Sequence, residues 1–325
     1  MRAVNDEQSV TELPIISLAN ANASGSADVA AAFDRAFCDV GFCYIADTGV
    51  DWSIVNAAFA AAEQFHALPL SAKQEIAVNQ YHRGYIASKS SLIKTSSVAK
   101  VTRPNLSESL MIMHEVADDD PRFGEPLQGP NQWPEALPDF RATVSAYERE
   151  LRTLALRLTR LLAQALGLRS THLDPYFEQP TTWLRLLHYP PQDDTDAQQF
   201  GAAPHTDYGF LTILAQDSIG GLEVRTRSGD WLAATPIPET FVVNVADMLA
   251  RWTNDRWTST AHRVRNVSDV GRYSIPYFWD MSTGAEVECL PTCTDAGHPP
   301  KYPTVNFGDY VMERLNKNYR YRGAS

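Results

Sequence analysis

The sequence predicts an α+β fold in which helices pack on a barrel or sandwich of short strands. Two regions of different character support this prediction. In the first 170 residues, apolar side chains recur at three- and four-residue steps, which is typical of amphipathic helices. From residue 183 to residue 278, short β-branched and aromatic runs alternate with turn signals, which is typical of a β-sandwich or barrel. No internal repeat or linker divides the chain, so we expect a single domain over residues 1–325.

The N-terminal region is predicted to combine helices with short strands. Ser26 is a candidate N-cap for the first helix, and Ser71 and Gln74 form a candidate capping box for a later one. The longest predicted helix ends before Gly167, a candidate C-cap. In chain order, the predicted elements are a strand at 13–17, a helix at 29–40, a strand at 42–45, a helix at 52–67, a short helix opened by Ser71 and a helix at 139–166.

The region after the long helix is predicted to supply the strands of the core. Turn signals such as Pro190-Pro191, Gly220-Gly221 and Gly271 separate these strands, and a last helix is expected at 310–319. The predicted core strands are 183–189, 208–214, 222–226, 240–245, 260–265 and 273–278.

Composition and charge exclude several classes of protein. The chain is 44% hydrophobic and 21% charged, which is typical of a folded globular protein. Its formal net charge of −11 would repel nucleic acid. No apolar run is long enough to span a bilayer, and residues 1–10 show no signal peptide. Four cysteines are too few for a disulfide scaffold, so we expect a cytoplasmic protein without a membrane partner.

Residues 81–104 form a basic segment within this acidic chain. The segment contains no acidic residue, and its cations are Arg83, Lys89, Lys94, Lys100 and Arg103. One interpretation is an exposed, solvated loop. The other is a mobile lid over a pocket for an anionic substrate or cosubstrate, because long loops often carry function.

A candidate metal site begins with His205-Thr-Asp207. On a strand, residues i and i+2 point to the same face, so both side chains can share one metal. A second triplet, His172-Leu-Asp174, follows the long helix and precedes a proline, so no strand is expected to align it. A third ligand must come from another strand, and His262 lies in a predicted one. Two histidines and one carboxylate leave coordination positions open, which suits Fe(II) activating oxygen beside a chelating substrate.

Ten residues after His262, the pair Arg272 and Ser274 shares one face of a predicted strand. Arginine presents a planar fork that matches a carboxylate, and serine adds a hydroxyl donor. The pair is therefore suited to binding the distal carboxylate of 2-oxoglutarate while the keto-acid end of that molecule chelates iron.

Four stretches of the C-terminal half resemble the isopenicillin N synthase-like family of Fe(II)/2-oxoglutarate oxygenases. They are Pro204 to Leu214, Val243 to Leu249, Thr260 to Val264 and Arg272 to Phe278. The resemblance covers nearly the whole chain and includes the opening residues 13–16, the strand at 41–44 and Gly84-Tyr85. The C-terminal motifs are highly specific to that family, whereas the N-terminal ones are weak.

The resemblance implies a double-stranded β-helix, or jelly roll, with iron at one mouth and flanking α-helices. It divides the single domain into a mostly helical region at 1–170, a jelly-roll core at 180–285 and a C-terminal segment with a helix at 286–325. By the same resemblance, His205, Asp207 and His262 bind iron, whereas Arg272, Ser274 and Tyr189 bind 2-oxoglutarate. The residues expected to contact the substrate are Phe278, Tyr85 and His82.

The family resemblance also implies the reaction. Such an enzyme converts 2-oxoglutarate and O2 to succinate and CO2 while it hydroxylates, desaturates or cyclises a small molecule, with ascorbate as a supporting reductant. The basic segment favours an anionic substrate. The sequence does not indicate the oligomeric state.

Three other functions fit part of the sequence. An iron oxidase of the same fold can dispense with 2-oxoglutarate and bind its substrate through Arg272 and Ser274. A zinc hydrolase can use the same three metal ligands, but it gives no reason for Arg272 and Ser274, and no general base stands near in sequence. A non-catalytic jelly-roll binding module has no use for the metal ligands.

Overall fold

The computed structural model describes residues 11–21, 25–93, 96, 98–99, 101–192, 199–266 and 268–318. The helices in these residues are α1 (Ser26–Asp39), α2 (Trp52–His66), α3 (Leu70–Glu75), α4 (Phe140–Ala165), α5 (Asp247–Trp252) and α6 (Phe307–Asn318). The strands are β1 (Ile15–Ser17), β2 (Phe42–Ala46), β3 (Gly84–Ile86), β4 (Glu108–Met113), β5 (Thr181–Tyr189), β6 (Ala202–His205), β7 (Leu211–Gln216), β8 (Leu222–Arg225), β9 (Trp231–Ala233), β10 (Phe241–Val245), β11 (His262–Val264), β12 (Arg272–Asp280), β13 (Glu286–Val287) and β14 (Val305–Asn306).

Two sheets form the jelly roll. The major sheet has eight strands in the order β1-β2-β10-β7-β12-β5-β4-β3, and within it the β1–β2 pair is parallel while the other pairs are antiparallel. The minor sheet has four antiparallel strands in the order β6-β11-β8-β9. Side chains from both sheets line one cavity between them. The predicted α+β jelly roll with flanking helices is therefore confirmed.

Successive residues of a strand point to opposite faces of the major sheet, and apolar side chains lie on both faces. On β5, Leu184 and Leu186 belong to the large core shared with the helices, whereas Leu187 and Tyr189 belong to a smaller cluster between the sheets. Helix α4 covers the outer face with a buried stripe that includes Leu151, and it also packs on α1 and α2. The inner face is thus left for the cavity.

Most predicted elements are present, but the two predicted N-terminal caps, Ser26 and the Ser71–Gln74 capping box, are wrong. Helix α1 begins at Ser26 and α3 at Leu70, and neither has a side-chain cap. Ser71 lies inside α3 because the chain enters that helix at Pro69, whose fixed φ already suits a helix start. Gly41 does end α1 as expected, since it adopts a φ of +71° that other residues rarely tolerate.

No helix in the described part of the chain is long and apolar enough to cross a membrane. All four cysteines are free thiols.

Candidate active site

The cavity between the sheets contains the predicted metal ligands at its inner wall. Strands β6 and β11 pair so that His205 lies opposite His262. Asp207 Oδ1 is 3.8 Å from His205 Nε2 and 3.7 Å from His262 Nε2. One ligand atom from each residue lies within 4.8 Å of the other two. Two imidazole nitrogens and one carboxylate oxygen thus converge on one point.

Backbone carbonyls fix the orientation of both imidazoles. His205 Nδ1 is 2.8 Å from the carbonyl oxygen of Ala203, and His262 Nδ1 is 3.2 Å from that of Thr260. Because a carbonyl can only accept, each Nδ1 carries the proton and each Nε2 presents its lone pair to the centre of the triad. This is the tautomer that a metal-binding histidine needs.

The carboxylate of Asp207 is oriented by two side chains of the major sheet. Its Oδ2 accepts hydrogen bonds from Thr212 Oγ1 at 2.6 Å and from Asn244 Nδ2 at 2.8 Å. These bonds leave Oδ1 directed at the imidazoles. Burial alone would raise the pKa of Asp207, but the neighbouring His262 and His205, with these two hydrogen bonds, lower it below the usual range. Asp207 is therefore ionised at neutral pH.

The prediction that His205 and Asp207 lie on one strand is wrong. Strand β6 ends at His205 and β7 begins only at Leu211, so Asp207 lies in the connection rather than two residues along the same strand. The predicted strand 208–214 starts three residues late because the Asp207 carbonyl accepts a hydrogen bond from Asp247 N, at the start of α5, instead of joining a ladder. The hydrogen bonds from Thr212 and Asn244, not the strand period, aim the carboxylate.

The electrostatics of the triad suit a divalent cation. Burial, followed by the neighbouring His262, lowers the pKa of His205 to about 4, so its imidazole is neutral at pH 7. Two imidazoles beside an ionised carboxylate match the donors that non-haem Fe(II) prefers, with positions left open for other ligands. The residues therefore fit the metal.

A second polar group lies further along the same inner wall, where Arg272 pairs with Tyr189 across β12 and β5. Arg272 is fully buried, and its guanidinium lies 4.8 Å above the Tyr189 ring. Its Nη2 donates a long 3.4 Å hydrogen bond to Gln216, whereas Nε and Nη1 have no partner among the described residues. Ser274 is buried two positions further on. A buried, unmatched guanidinium is costly unless an anion binds it, so these residues fit a carboxylate of 2-oxoglutarate.

The three predicted substrate contacts lie in different places. Phe278 and His82 both line the cavity, and His82 packs edge-on against Trp183 with ring centroids 5.5 Å apart. Tyr85 is not among the lining residues; its hydroxyl donates to Glu108 Oε2 at 2.5 Å instead. The structure therefore gives Tyr85 no contact with this cavity.

The basic segment 81–104 forms part of the cavity wall without directing its described charges inward. Ser91 and Ile93 line the cavity. Arg83 is buried and donates to the carbonyl oxygens of Tyr81, Leu127 and His114, so its charge is engaged within the fold. Lys94 and Lys100 lie outside the described residues.

A buried charged cluster behind the cavity was not predicted from the sequence. Glu108 on β4 accepts hydrogen bonds from Lys73 Nζ at 2.9 Å and His188 Nδ1 at 3.0 Å, and His66 Nδ1 lies 3.4 Å away. Burial opposes ionisation of Glu108, but His188 and the other partners lower its pKa well below the usual range. His188 alternates with Leu187 and Tyr189 on β5, so the cluster occupies the opposite face of the sheet.

Three further residues of the cavity, Arg185, Thr212 and Asn244, were not predicted from the sequence. Arg185 lines the cavity, and its position four residues before Tyr189 on a predicted strand could have placed it on the inner face. Thr212 and Asn244 gave no comparable signal, because their role depends on which strands become neighbours.

Comparisons with known proteins agree with this site. Residues 180–280 match the model of the 2OG-Fe(II) oxygenase superfamily, and residues 13–136 match that of the non-haem dioxygenase in morphine synthesis N-terminal family. The 2-oxoglutarate-Fe(II) type oxidoreductase hxnY of Emericella nidulans is 38% identical over 269 residues, which cover 80% of this chain and 76% of that one. Kihadalactone A synthase LFS of Citrus sinensis is 34% identical over 322 residues, with 95% and 92% covered.

Among solved structures, a full-length Neurospora crassa protein in complex with alpha-KG and thymine superposes with a TM-score of 0.83. It is 29% identical, and the match covers 97% of this chain and 98% of that one. The fold and site thus define a non-haem Fe(II) enzyme that uses a keto-acid cosubstrate.

The chain belongs to the 2OG-Fe(II) oxygenase superfamily. It is an Fe(II)- and 2-oxoglutarate-dependent dioxygenase that oxidises a small-molecule substrate and converts 2-oxoglutarate to succinate and CO2.

Proposed function

We propose that His205, Asp207 and His262 bind the Fe(II) of this dioxygenase. The support is the convergence of three ligand atoms of the right chemistry, each oriented by its own hydrogen bond. When bound, iron and 2-oxoglutarate together activate O2 to attack a C–H bond. These three residues would hold the iron at the wall of the cavity.

We also propose that Arg272, Ser274 and Tyr189 bind the distal carboxylate of 2-oxoglutarate. The observation that carries this proposal is the fully buried Arg272 guanidinium with two donors unmatched among the described residues. An isolated buried cation is expected only where a ligand supplies the missing charge and acceptors. Tyr189, on which the guanidinium stacks, limits the directions in which the fork can turn.

Anaerobic titration of 2-oxoglutarate into the Fe(II) protein tests this assignment, because chelation of the iron gives a visible charge-transfer band. We expect saturable binding in the wild type and a loss of affinity on the order of 100-fold in Arg272→Ala, since a charge-assisted fork is removed. Arg149→Ala, on the exposed face of α4, is the matched control and should bind normally. A band of unchanged affinity in Arg272→Ala would overturn the assignment.

We propose that the substrate is anionic. The position of the basic segment at the cavity wall supports this, although Arg83 is engaged within the fold. Replacing Lys94, Lys100 and Arg103 with Gln tests the contribution of the segment. An unchanged KM for the substrate would remove the segment from this proposal.

We further propose that residues 1–325 act as a single cytoplasmic domain. Strands β1 to β4 of the region 1–170 extend the same sheet as the core strands of 180–285, which supports one folding unit. Four free thiols are consistent with a reducing compartment.

A further inference from the structure

We propose that Arg185 binds a carboxylate of the substrate, so that the substrate class is a small carboxylic acid with an apolar body. This inference rests on the proposed roles of the iron ligands and of Arg272. Arg185 supplies the second guanidinium of the cavity lining, after that of Arg272. Neither the metal nor the distal carboxylate of 2-oxoglutarate requires this second guanidinium.

Arg185 lies on the cavity face of β5. It is two residues from Leu187 and four from Tyr189, and strand alternation places all three on the inner side of the sheet. Across the ladder it pairs with Met111 of β4. It therefore lies on the strand between β12, which carries Arg272, and β4.

The Arg185 guanidinium is anchored at one end and available at the other. Its Nε donates to Ser109 Oγ at 2.9 Å, which fixes the direction of the fork. Within the described residues, neither terminal nitrogen has a hydrogen-bond partner, and no carboxylate forms an ion pair with it. By contrast, Arg263, on the minor sheet, is paired with Glu223 at 2.7 Å. Arg185 thus keeps two parallel donors for a ligand, the arrangement that binds a carboxylate at both oxygens.

The formal charges around the cavity balance without Arg185, so its positive charge can be matched by one further anion. Two positive charges of iron and one of Arg272 balance the two negative charges of 2-oxoglutarate and the one of Asp207. Asp280, the remaining carboxyl, accepts from Trp183 Nε1 and Phe210 N, and burial raises its pKa to about 7, so it supplies at most part of a negative charge at neutral pH.

Apolar side chains make up much of the remaining cavity lining. Ile93, Met111, Trp183 and Phe278 line the cavity with Arg185. A pocket of this kind binds an apolar body by burial and uses its few polar groups to fix orientation. A carboxylate held by Arg185 would therefore determine which carbon of the body faces the iron.

Equilibrium binding to the anaerobic protein loaded with Fe(II) and 2-oxoglutarate tests the proposal without turnover. The probes are matched pairs of a carboxylate and its primary amide, namely benzoate with benzamide and indole-3-acetate with indole-3-acetamide, each titrated to millimolar concentration by calorimetry. In the wild type we expect at least one carboxylate to bind about 10- to 100-fold more tightly than its amide, because only the carboxylate can accept two charge-assisted hydrogen bonds from the guanidinium.

In Arg185→Met we expect this preference to disappear while the affinity for 2-oxoglutarate, followed by the charge-transfer band, stays unchanged. Arg185→Lys should keep part of the preference, since it retains the charge but loses the fork. Ser109→Ala keeps the guanidinium and removes only the hydrogen bond that orients it, so it should cause a smaller loss of the preference for the carboxylate. This variant also tests the proposal if Arg185→Met fails to fold. Thermal unfolding checks that all three variants fold.

Two results would overturn the inference. Carboxylates that bind no better than their amides, or do not bind at all, to a wild-type protein with a normal charge-transfer band would show that the cavity does not select an anion. An Arg185→Met variant that loses 2-oxoglutarate instead would assign Arg185 to the cosubstrate. Absence of the band in the wild type is a different failure, because it contradicts the proposed role of Arg272.

Discussion

At the residue scale, the proposed metal site depends on two side chains outside the set of proposed ligands. Thr212 and Asn244 hold Asp207 Oδ2 and so direct Oδ1 toward the imidazoles. Partners of this kind set the orientation and basicity of a ligand, and their loss typically weakens metal binding.

We therefore predict that Thr212→Val lowers the affinity for Fe(II) by about 10- to 100-fold without unfolding the protein. Valine keeps the shape of threonine but cannot donate to Asp207. Thr212→Ser retains the hydroxyl and serves as the control. Anaerobic Fe(II) titration measures the effect, and equal affinities for the Val and Ser variants would contradict the role given to this hydrogen bond.

The sequence indicated which residue types form the site, but not how the fold orients them. His205, Asp207 and His262 could be selected by residue type and by the strand-like context of each. The hydrogen bonds from Thr212 and Asn244 could not, because β6, β7 and β10 come together only in the folded sheets.

At the element scale, helices and central strands were the most predictable features. Helix α4 runs from Phe140 to Ala165 against a predicted 139–166, because its apolar stripe must cover a sheet. Strands β3, β4, β6, β9, β13 and β14 were not predicted. They are short, or they follow no clear alternation, and their pairing across the sheets is a long-range property that local periodicity does not contain.

The buried stripe of α4 carries a stability prediction. Leu158 is fully buried against the core, so Leu158→Ala is expected to lower the free energy of unfolding by about 2–5 kcal/mol through lost transfer energy and a residual cavity. Arg149→Ala, on the exposed side of the same helix, should change it little. Urea unfolding compares the two variants, and similar losses in both would contradict the assigned orientation of the helix.

The Glu108 cluster predicts a pH dependence of stability. The pKa of Glu108 is lower in the folded protein than its ordinary value of 4.5, so ionised Glu108 stabilises the fold above that value. Glu108→Gln should therefore cost roughly 1–3 kcal/mol at pH 7. The difference from wild type should shrink as the pH falls below about 4.5, where the unfolded chain takes up the proton first.

Urea unfolding at pH 7 and at pH 4 measures this difference. Glu313→Gln is the control, because Glu313 pairs with Lys317 on the exposed surface of α6. A Glu108→Gln effect that is equal at both pH values would show that packing, not charge, connects β4 to α3.

At the scale of the whole molecule, cofactor binding should appear as added stability. A ligand that binds only the folded state at 100 times its Kd adds about 2.7 kcal/mol to the free energy of unfolding. Fe(II) followed by 2-oxoglutarate under anaerobic conditions should therefore raise the Tm in two steps. In Arg272→Ala only the first step should remain, and a full second step there would contradict the proposed cosubstrate site.

The position of β2 in the major sheet has a consequence for how this enzyme is made. Phe42, on β2, pairs with Asn244 of β10, and its ring meets that of His262 edge-on at 5.3 Å. Strand β2 is translated about 200 residues before β10. The pairing of these two strands beside the proposed iron site can therefore form only after most of the chain has been translated. A fragment cut at 180–280 would contain every proposed iron ligand and still leave β10 without its neighbour β2. We therefore expect a fragment of residues 180–280 to lack the side of the proposed iron site that Phe42 provides.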